Sequence, residues 1–288
     1  MTTSSDRGME MDISRWIAVD QGCTKLLMSA QWNGRYIDRK VPTGMQVTKE
    51  YVLQEVRKFI DDLPFRPEGI GCAIAGLVTD DEVIYSDTHG MEGLKGSDFF
   101  GLPCHLINDV KAATVEESSY LQSNENIVLI VAGSAFAMGY VENGNILLGS
   151  RGWAGELGSV VYPVDGKLMK LDDISGGMGI LEQAGCTADE LLERLRNHDR
   201  EAEMIIRRAG TYFGLALQAI VHNFTPRRIV IGGSTSTYPG YMEAARKVLD
   251  EYAMPILYKD TEITEPHDLK RVVALGARRY AFNRERSR

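Results

Sequence analysis

The sequence predicts an α/β protein made of two similar lobes, each with a mixed sheet and flanking helices. Strands alternate with helical segments, several short apolar runs end in glycine, and the layout of the first lobe returns in the second. The 288 residues are enough for one large domain or two medium ones. We place the N-terminal lobe at residues 12–115 and the C-terminal lobe at 116–288. The last helix belongs to the second lobe or packs back onto the first.

The first lobe is predicted from strand and helix patterns. Apolar spacing and Asn33-Gly34 indicate strands and a hairpin, and Thr48 is a candidate N-cap for the first helix. Two short apolar runs, GIGCAIAG and CHLIN, are typical of buried parallel strands, and a polar loop separates them. The predicted strands are 16–20, 26–32, 35–40, 69–76 and 104–108, the helices 47–62 and 109–123, and the loop 79–98.

The second lobe repeats this plan. An apolar run is again followed by a glycine-bearing turn, a second strand, an Asn-Gly turn and a third strand, which indicates an internal duplication. The predicted strands are 127–132, 139–142, 145–148 and 229–233, and the helices 188–197, 200–223, 240–252 and 272–282.

Composition and charge exclude several classes of protein. The net charge of −8 argues against nucleic acid as a partner, because phosphate neutralisation needs a basic surface. No apolar run is long enough to span a membrane, and the first dozen residues lack the apolar core of a signal peptide. The four cysteines are far apart, which favours free thiols in a reducing compartment. We therefore expect a cytoplasmic protein.

Four predicted strands end in turns that carry glycine or a hydroxyl. Such turns can present backbone N–H groups to phosphate oxygens. The first also carries Asp20, whose carboxylate repels phosphate but can hold Mg²⁺ or its water. By itself the segment that begins at Asp20 is equally compatible with an ordinary β-hairpin. The four turns are Asp20-Gln21-Gly22-Cys23-Thr24, Ala75-Gly76-Leu77, Ala132-Gly133-Ser134 and Gly232-Gly233-Ser234.

Four segments in order resemble the signatures of the ROK sugar kinases (repressor, open reading frame, kinase) of the actin/hexokinase/Hsp70 ATPase superfamily. They are VDQGCTKLLMSA, INDVKAATVEE, GWAGELGSVVYP and IVIGGS, and the resemblance extends from about residue 15 to 282. It implies a two-lobed, ribonuclease H-like fold with duplicated mixed-sheet domains around a central cleft. It also implies ATP and Mg²⁺ as cofactors, a sugar substrate and a homodimer.

The resemblance assigns the sugar site. Asp109 matches the catalytic base that takes the proton of the sugar hydroxyl, although an ordinary helix N-cap is the alternative. Asn108 and Glu156 match residues that hydrogen-bond sugar hydroxyls, while a surface glutamate in a glycine-rich loop is the simpler view of Glu156. Gly76 is expected near the sugar. Asp87 and His89 occupy the family's sugar loop, where a lone histidine is more often a polar surface residue.

The resemblance also assigns the nucleotide site. Asp20, Gly22 and Thr24 are expected at the Mg²⁺–phosphate end, and Lys25 either reaches a phosphate or is simply an exposed charge. The second phosphate loop would contain Gly133 and Ser134. The adenosine side would be formed by Gly232, Gly233 and Ser234.

The chain departs from the family pattern at several positions. Alanines and a methionine replace glycines in the second phosphate loop, Gly133–Gly139, where an added Cβ limits positive φ. Ser159 replaces the family's sugar-binding histidine. Residues 162–178 contain neither cysteine nor histidine, so we predict no structural zinc site. The short segment before the first strand leaves no room for the DNA-binding motif of the repressor branch.

Three functions remain open at this point. The first is an ATP-dependent kinase acting on a primary hydroxyl of a hexose or N-acetylhexosamine. The second is a catalytically weak sugar or nucleotide sensor, suggested by the altered second loop and Ser159. A related ATPase with a non-sugar substrate fits the glycine turns but leaves Glu156 unexplained.

Overall fold

The structure is a computed structural model that describes residues 12–79, 81–88, 90–122 and 125–288. The elements before residue 119 are β1 (Trp16–Gln21), β2 (Lys25–Trp32), β3 (Arg35–Pro42), α1 (Lys49–Asp61), β4 (Gly69–Ile74), β5 (Gly76–Val78), β6 (Val83–Ser86), β7 (Cys104–Asn108) and α2 (Asp109–Ser118). The later ones are β8 (Ile127–Ala132), β9 (Phe136–Glu142), β10 (Asn145–Ile146), β11 (Val161–Val164), β12 (Lys167–Lys170), α3 (Leu171–Ser175), α4 (Gly177–Ala184), α5 (Ala188–Arg196), α6 (Arg200–Phe224), β13 (Arg228–Gly232), α7 (Tyr241–Tyr252), α8 (Pro255–Tyr258), β14 (Glu262–Thr264) and α9 (Val272–Arg286).

The chain divides into two compact units. Unit 1 contains the residues up to Glu116 together with Lys270–Arg288, and unit 2 is Glu117–Leu269. In unit 1 the sheet order is β3-β2-β1-β4-β7, with β1, β4 and β7 parallel. In unit 2 the order is β10-β9-β8-β13-β14, with β8, β13 and β14 parallel. Each sheet therefore joins an antiparallel hairpin to three parallel strands, as the sequence duplication predicted.

The sheet of unit 1 is covered by helices on both faces because its strands are apolar on both faces. Alternate residues of β1, Ile17 and Val19, belong to the core that α1 closes with Val52, Val56 and Phe59. The residues between them face α9. Trp16 packs edge-on against Phe282, with ring centroids 6.1 Å apart, and Ala18 packs with Ala274.

The core of unit 2 is built around α6, the longest helix. Phe213 of α6 stacks on Phe136 of β9, with ring centroids 5.2 Å apart, and both are buried. Gly210 and Gly214 let α7 approach closely, since a Cβ at Gly210 would lie 2.2 Å from the carbonyl oxygen of Tyr241. The second sheet and these helices together form one apolar core.

Several elements differ from the sequence prediction. The polar loop predicted at 79–98 contains β6, which pairs with β5, so that assignment was wrong. The β11–β12 hairpin and the short helices α3 and α4 were not predicted. The helix predicted at 109–123 ends at Ser118. Within the described ranges, no helix is both long and apolar enough to cross a membrane.

Candidate active site

Four predicted site residues lie at one edge of the first sheet. The parallel strands β1, β4 and β7 end side by side, since Asp20 pairs with Ala73 and Ile74 pairs with Asn108. Gly76 follows β4 by two residues. The carboxyl ends of parallel strands form the usual ligand-binding edge of an α/β sheet. The fold therefore brings Asp20, Gly76, Asn108 and Asp109 to the same edge.

The two carboxylate oxygens of Asp109 differ in their hydrogen bonding to the described residues. Its Oδ1 accepts hydrogen bonds from the Val110 backbone N–H (2.8 Å) and from Asn108 Nδ2 (2.9 Å). No described residue hydrogen-bonds to Oδ2. Burial, reinforced by the negative charge of Asp87, raises the pKa of Asp109 to about 6. A carboxylate that is fixed in direction and has a raised pKa is suited to accept a proton.

Asn108 holds Asp109 in place. Its Nδ2 donates to the Gly76 carbonyl oxygen (3.0 Å) as well as to Asp109. Its Oδ1 accepts from the backbone N–H groups of Val110 (3.0 Å) and Lys111 (3.2 Å), so Asn108 rather than Asp109 caps α2. All four hydrogen-bonding positions of the amide are thus satisfied within the protein. The predicted contact of Asn108 with a sugar hydroxyl stays a prediction.

Asp20 is a second carboxylate with perturbed chemistry. Burial and the neighbouring charge of Asp109 raise the pKa of Asp20 to about 7, although Lys25 partly offsets this. A cation would stabilise the ionised form of Asp20, which burial and the charge of Asp109 both disfavour. Among the described residues no cluster of three or more acidic, histidine or cysteine side chains can hold a metal. The donor set suits Mg²⁺, which is commonly held by one or two carboxylates with water and phosphate oxygens completing its shell.

The predicted first phosphate loop, residues 20–24, is a tight turn after β1. The Gly22 N–H donates to the carbonyl oxygen of Lys25 (3.0 Å). Thr43, at the end of β3, holds the turn with two hydrogen bonds. Its Oγ1 donates to the Gly22 carbonyl oxygen (2.9 Å), and its N–H donates to the Thr24 carbonyl oxygen (3.1 Å). A Cβ added at Gly22 would meet only the Lys25 carbonyl oxygen, at 3.5 Å. The open space at Gly22 is therefore available to a ligand.

The predicted sugar loop follows β6. Asp87 is exposed, and its charge contributes to raising the pKa values of both Cys23 and Asp109. Gly76 has a φ of +141°, and a Cβ there would lie 2.2 Å from the Tyr85 carbonyl oxygen, so only glycine fits. These residues therefore belong to one neighbourhood in unit 1. His89 lies outside the described residues.

In unit 2 the turn after β8 is also closed by a backbone hydrogen bond from its glycine, but to the carbonyl oxygen two residues on rather than three. The Gly133 N–H donates to the Ala135 carbonyl oxygen (3.2 Å), and a Cβ at Gly133 would have no neighbour closer than 3.8 Å. Ser134 is exposed. The alanines and methionine that replace family glycines do not have positive φ, and β9 is regular from Phe136 onwards. The altered loop is therefore unstrained.

The turn after β13 lies beside this second loop. Gly233 has a φ of +99°, and a Cβ there would lie 2.3 Å from the Ala132 carbonyl oxygen. Gly232 lies beside Pro266, while Ser234 is exposed and its carbonyl oxygen accepts from Thr237 Oγ1 (2.6 Å). The carboxyl ends of β8 and β13 thus place both predicted nucleotide turns together in unit 2.

Glu156 is an exposed side chain of unit 2. It precedes a short 3₁₀ turn, Leu157–Ser159, and follows Gly155, whose Cβ would lie 1.9 Å from the Met138 carbonyl oxygen. The loop is therefore held tightly against β9. The role of Glu156 as a sugar ligand stays a prediction.

The sequence prediction missed several residues that organise these loops. Gln21, Thr43 and Thr88 brace the loops of unit 1. In unit 2 the Gly133 carbonyl oxygen accepts from the Gly177 N–H (2.9 Å) and from Thr235 Oγ1 (2.8 Å). The glycine cluster at 176–179 was a visible signal for the second loop, but the polar partners in unit 1 had none.

The two duplicated units, each with a glycine turn after its first parallel strand, define the class of actin-like ATPase folds. The ROK family model matches residues 16–283, and the chain belongs to the ROK family. N-acetylmannosamine kinase from Escherichia fergusonii is 25% identical over 249 residues, covering 78% of this chain and 85% of that protein.

Two solved structures share the fold. The ROK hexokinase from Thermus thermophilus has a TM-score of 0.77 at 22% identity, with 94% of this chain and 99% of that chain covered. The ROK glucokinase from Streptomyces griseus, solved with glucose and AMPPNP, has a TM-score of 0.71 at 19% identity, with 93% and 99% covered. These likenesses confirm the predicted fold class.

Proposed function

We propose that the protein transfers the terminal phosphoryl group of ATP to a primary hydroxyl of a hexose or N-acetylhexosamine. The observation that carries this proposal is Asp109, a carboxylate of raised pKa that hydrogen bonds hold in place at the carboxyl ends of the parallel strands β1, β4 and β7. Phosphoryl transfer needs mainly positioning, charge stabilisation and removal of one proton from the acceptor. Membership of the ROK family supports the same chemistry.

Each residue has a defined part in the proposed reaction. Asp109 Oδ2 accepts the proton of the attacking hydroxyl while Asn108 and Val110 fix Oδ1. Asp20 would hold Mg²⁺ directly or through water, which supplies positive charge at the phosphates when bound. Because Gly22 and Gly133 have no side chain, phosphate oxygens could approach the backbone of each turn closely. Glu156 is the proposed partner of sugar hydroxyls.

N-acetylhexosamines are the first acceptors to test. The relative from Escherichia fergusonii acts on N-acetylmannosamine, and the Streptomyces griseus structure holds glucose. Since Ser159 replaces the family's histidine, the acceptor can differ from both of these sugars. A homodimer is also part of the proposal and is checked by light scattering.

A coupled ADP-release screen tests the proposal. Hexoses, amino sugars and cyclitols are each offered with ATP, in the presence of Mg²⁺ and in its absence. We expect Mg²⁺-dependent ADP release with at least one hexose or N-acetylhexosamine. Clear sugar binding without turnover of any sugar would contradict the proposal and favour the sensor. The absence of strain in the second loop counts against that alternative.

A further inference from the structure

A chain of buried hydrogen bonds links the first phosphate loop to the turn at Ser86–Thr88, which we call the acceptor turn. Gln21 Nε2 donates to the Gly22 carbonyl oxygen (3.2 Å) and to Thr88 Oγ1 (3.4 Å). Thr88 Oγ1 lies 2.9 Å from Ser86 Oγ, which donates to the Ala75 carbonyl oxygen (3.2 Å). The side chains of Gln21, Ser86 and Thr88 are all fully buried.

Further hydrogen bonds hold the backbone of the acceptor turn on both sides of Asp87. The Thr88 N–H donates to Ser86 Oγ (3.3 Å), and the Asp87 N–H donates to the Ala75 carbonyl oxygen (3.4 Å). The Ala75 N–H in turn donates to the Gln21 carbonyl oxygen (3.3 Å). Asp87 is therefore an exposed carboxylate between two buried hydroxyl residues, of which Gln21 contacts Thr88 directly and Ser86 through Thr88.

Gln21 keeps one polar atom without a partner. Its Oε1 is buried, and no hydrogen bond to it is found among the described residues. A buried unpaired acceptor destabilises a protein, and an apolar side chain of similar size would avoid that cost. A glutamine at this position therefore needs a reason beyond packing, and its two Nε2 hydrogen bonds connect the two loops that the reaction requires.

We propose that Gln21 is a positioning residue that couples the first phosphate loop to the acceptor turn through Thr88 and Ser86. The inference rests on the proposed function, because the two loops are taken as the phosphate and sugar sides of one reaction. A shift of the Gly22 carbonyl oxygen moves the Gln21 amide and, through Thr88, the backbone that presents Asp87. Loss of the link loosens the acceptor turn and weakens sugar binding more than ATP binding.

Amide hydrogen exchange tests the link without any need for activity. Gln21→Met keeps the volume but removes the amide, and Thr88→Val keeps the shape but removes the hydroxyl. Both are expected to speed exchange of the Asp87 and Thr88 amides about tenfold or more, because local opening exposes them. Thr88→Ser retains a hydroxyl and should exchange almost like the wild type. Ser29→Ala, which removes a buried hydroxyl on β2, is the matched control and should leave these amides unchanged.

Steady-state kinetics, with the sugar that the wild-type enzyme phosphorylates, are the second arm of the test after hydrogen exchange. Gln21→Met and Thr88→Val are each expected to raise the acceptor KM about tenfold with a smaller change in ATP KM. The double variant should be no worse than either single one, since both break the same chain. Additive effects on acceptor KM would overturn the coupling.

The two arms separate this inference from the proposed function. Unchanged exchange at Asp87 and Thr88 in both variants overturns the inference, whether or not the enzyme turns over a sugar. If the wild type phosphorylates no sugar, the proposed function fails, and exchange alone decides whether the link exists. Should Gln21→Met fail to fold, Thr88→Val decides the same question.

Discussion

At the scale of single residues, the glycines of the candidate site form two groups. Gly22 and Gly133 have open space where a Cβ would lie and do not have positive φ. Gly76 and Gly233 have positive φ, and their backbone neighbours leave no room for a side chain. The protein itself could accommodate a side chain at the first group, whereas the backbone requires glycine at the second.

We therefore expect opposite effects of alanine at these positions. Gly22→Ala and Gly133→Ala should leave the free energy of unfolding within about 0.5 kcal/mol while raising the ATP KM about tenfold or more. Gly233→Ala should cost roughly 2 kcal/mol or more of stability because its φ and the Ala132 carbonyl oxygen exclude a Cβ. Denaturant unfolding measures the free energy of unfolding, and steady-state kinetics measure the ATP KM. An unchanged ATP KM in Gly22→Ala and Gly133→Ala would contradict the phosphate role.

The two carboxylates predict a pH dependence of stability. The pKa values of Asp20 and Asp109 rise from 3.8 to about 7 and about 6 in the folded state. The folded protein then binds more protons than the unfolded chain between pH 4 and 7, so stability falls as pH rises through this range and is level above it. Asp20→Asn should flatten this fall and be more stable than wild type at pH 8, by on the order of 1 to 3 kcal/mol.

Chemical denaturation in EDTA at several pH values measures this difference. Adding Mg²⁺ at pH 8 should then stabilise the wild type, because the cation offsets the repulsion between the carboxylates, and should stabilise Asp20→Asn much less. Equal stabilisation of both proteins by Mg²⁺ would show that Asp20 does not hold the metal.

At the scale of elements, the contact of α9 with the rest of unit 1 depends on two glycines. A Cβ at Gly71 of β4 would lie 2.1 Å from the Ala277 carbonyl oxygen, and one at Gly276 would lie 1.7 Å from that of Ala112. The backbone of α9 therefore lies directly against those of β4 and α2, without intervening side chains. Since α9 also carries Phe282 against Trp16, it completes one face of the sheet that ends in Asp20.

Gly276→Ala should consequently destabilise the protein by about 2 to 4 kcal/mol through overpacking. Gly44→Ala is the matched control, because a Cβ there meets no atom within 4 Å and its φ is not positive. Thermal unfolding compares the two variants with the wild type. Equal melting temperatures of Gly276→Ala and Gly44→Ala would contradict the close packing of α9.

Elements with strong local signals were predictable from the sequence. The Asn33-Gly34 turn, the Thr48 cap of α1 and the buried strands 104–108 and 127–132 are confirmed. The elements that were missed are set mainly by packing. Strand β6 is short and pairs with β5 across a register shift, and α4 begins with glycines of poor helix propensity. The β11–β12 hairpin did have a local signal, the Asp165-Gly166 turn.

At the scale of the whole molecule, unit 2 is continuous in sequence and its two ends meet. The Glu117 side chain is fully buried. One of its carboxylate oxygens accepts a hydrogen bond from the His267 backbone N–H (2.7 Å), and the other lies 2.6 Å from Nδ1 of the His267 ring. Unit 1, in contrast, combines the described residues up to Glu116 with the terminal helix α9. The organisation is that of one domain inserted into another.

Fragments that correspond to unit 2 and to the N-terminal part of unit 1 should therefore differ in whether they unfold cooperatively. Residues 117–269 expressed alone are expected to unfold cooperatively, because their core and their joined ends are intact. Residues 12–116 alone lack α9 over β1 and β4 and should not unfold cooperatively until a peptide of residues 270–288 is added. Circular dichroism during denaturant titration measures both. Cooperative unfolding of 12–116 without the peptide would contradict this organisation.

The sequence could place Asp20, Gly76, Asn108 and Asp109 at one edge, because each lies at or just after the end of a recognisable buried strand. It could not show that the Asn108 amide is satisfied within the protein, or that Gln21 meets Thr88, a residue 67 positions away. Contacts between distant positions and raised pKa values arise only once the chain is folded.

The most direct test of the account is Asp109→Asn, assayed for turnover and for sugar binding. The amide keeps the size of the side chain but cannot take the proton of the hydroxyl. We predict a loss of kcat of about a thousandfold or more, with the sugar Kd from calorimetry changed only a few-fold. Turnover near the wild-type rate would show that Asp109 is not the base, and the proposed mechanism would be wrong.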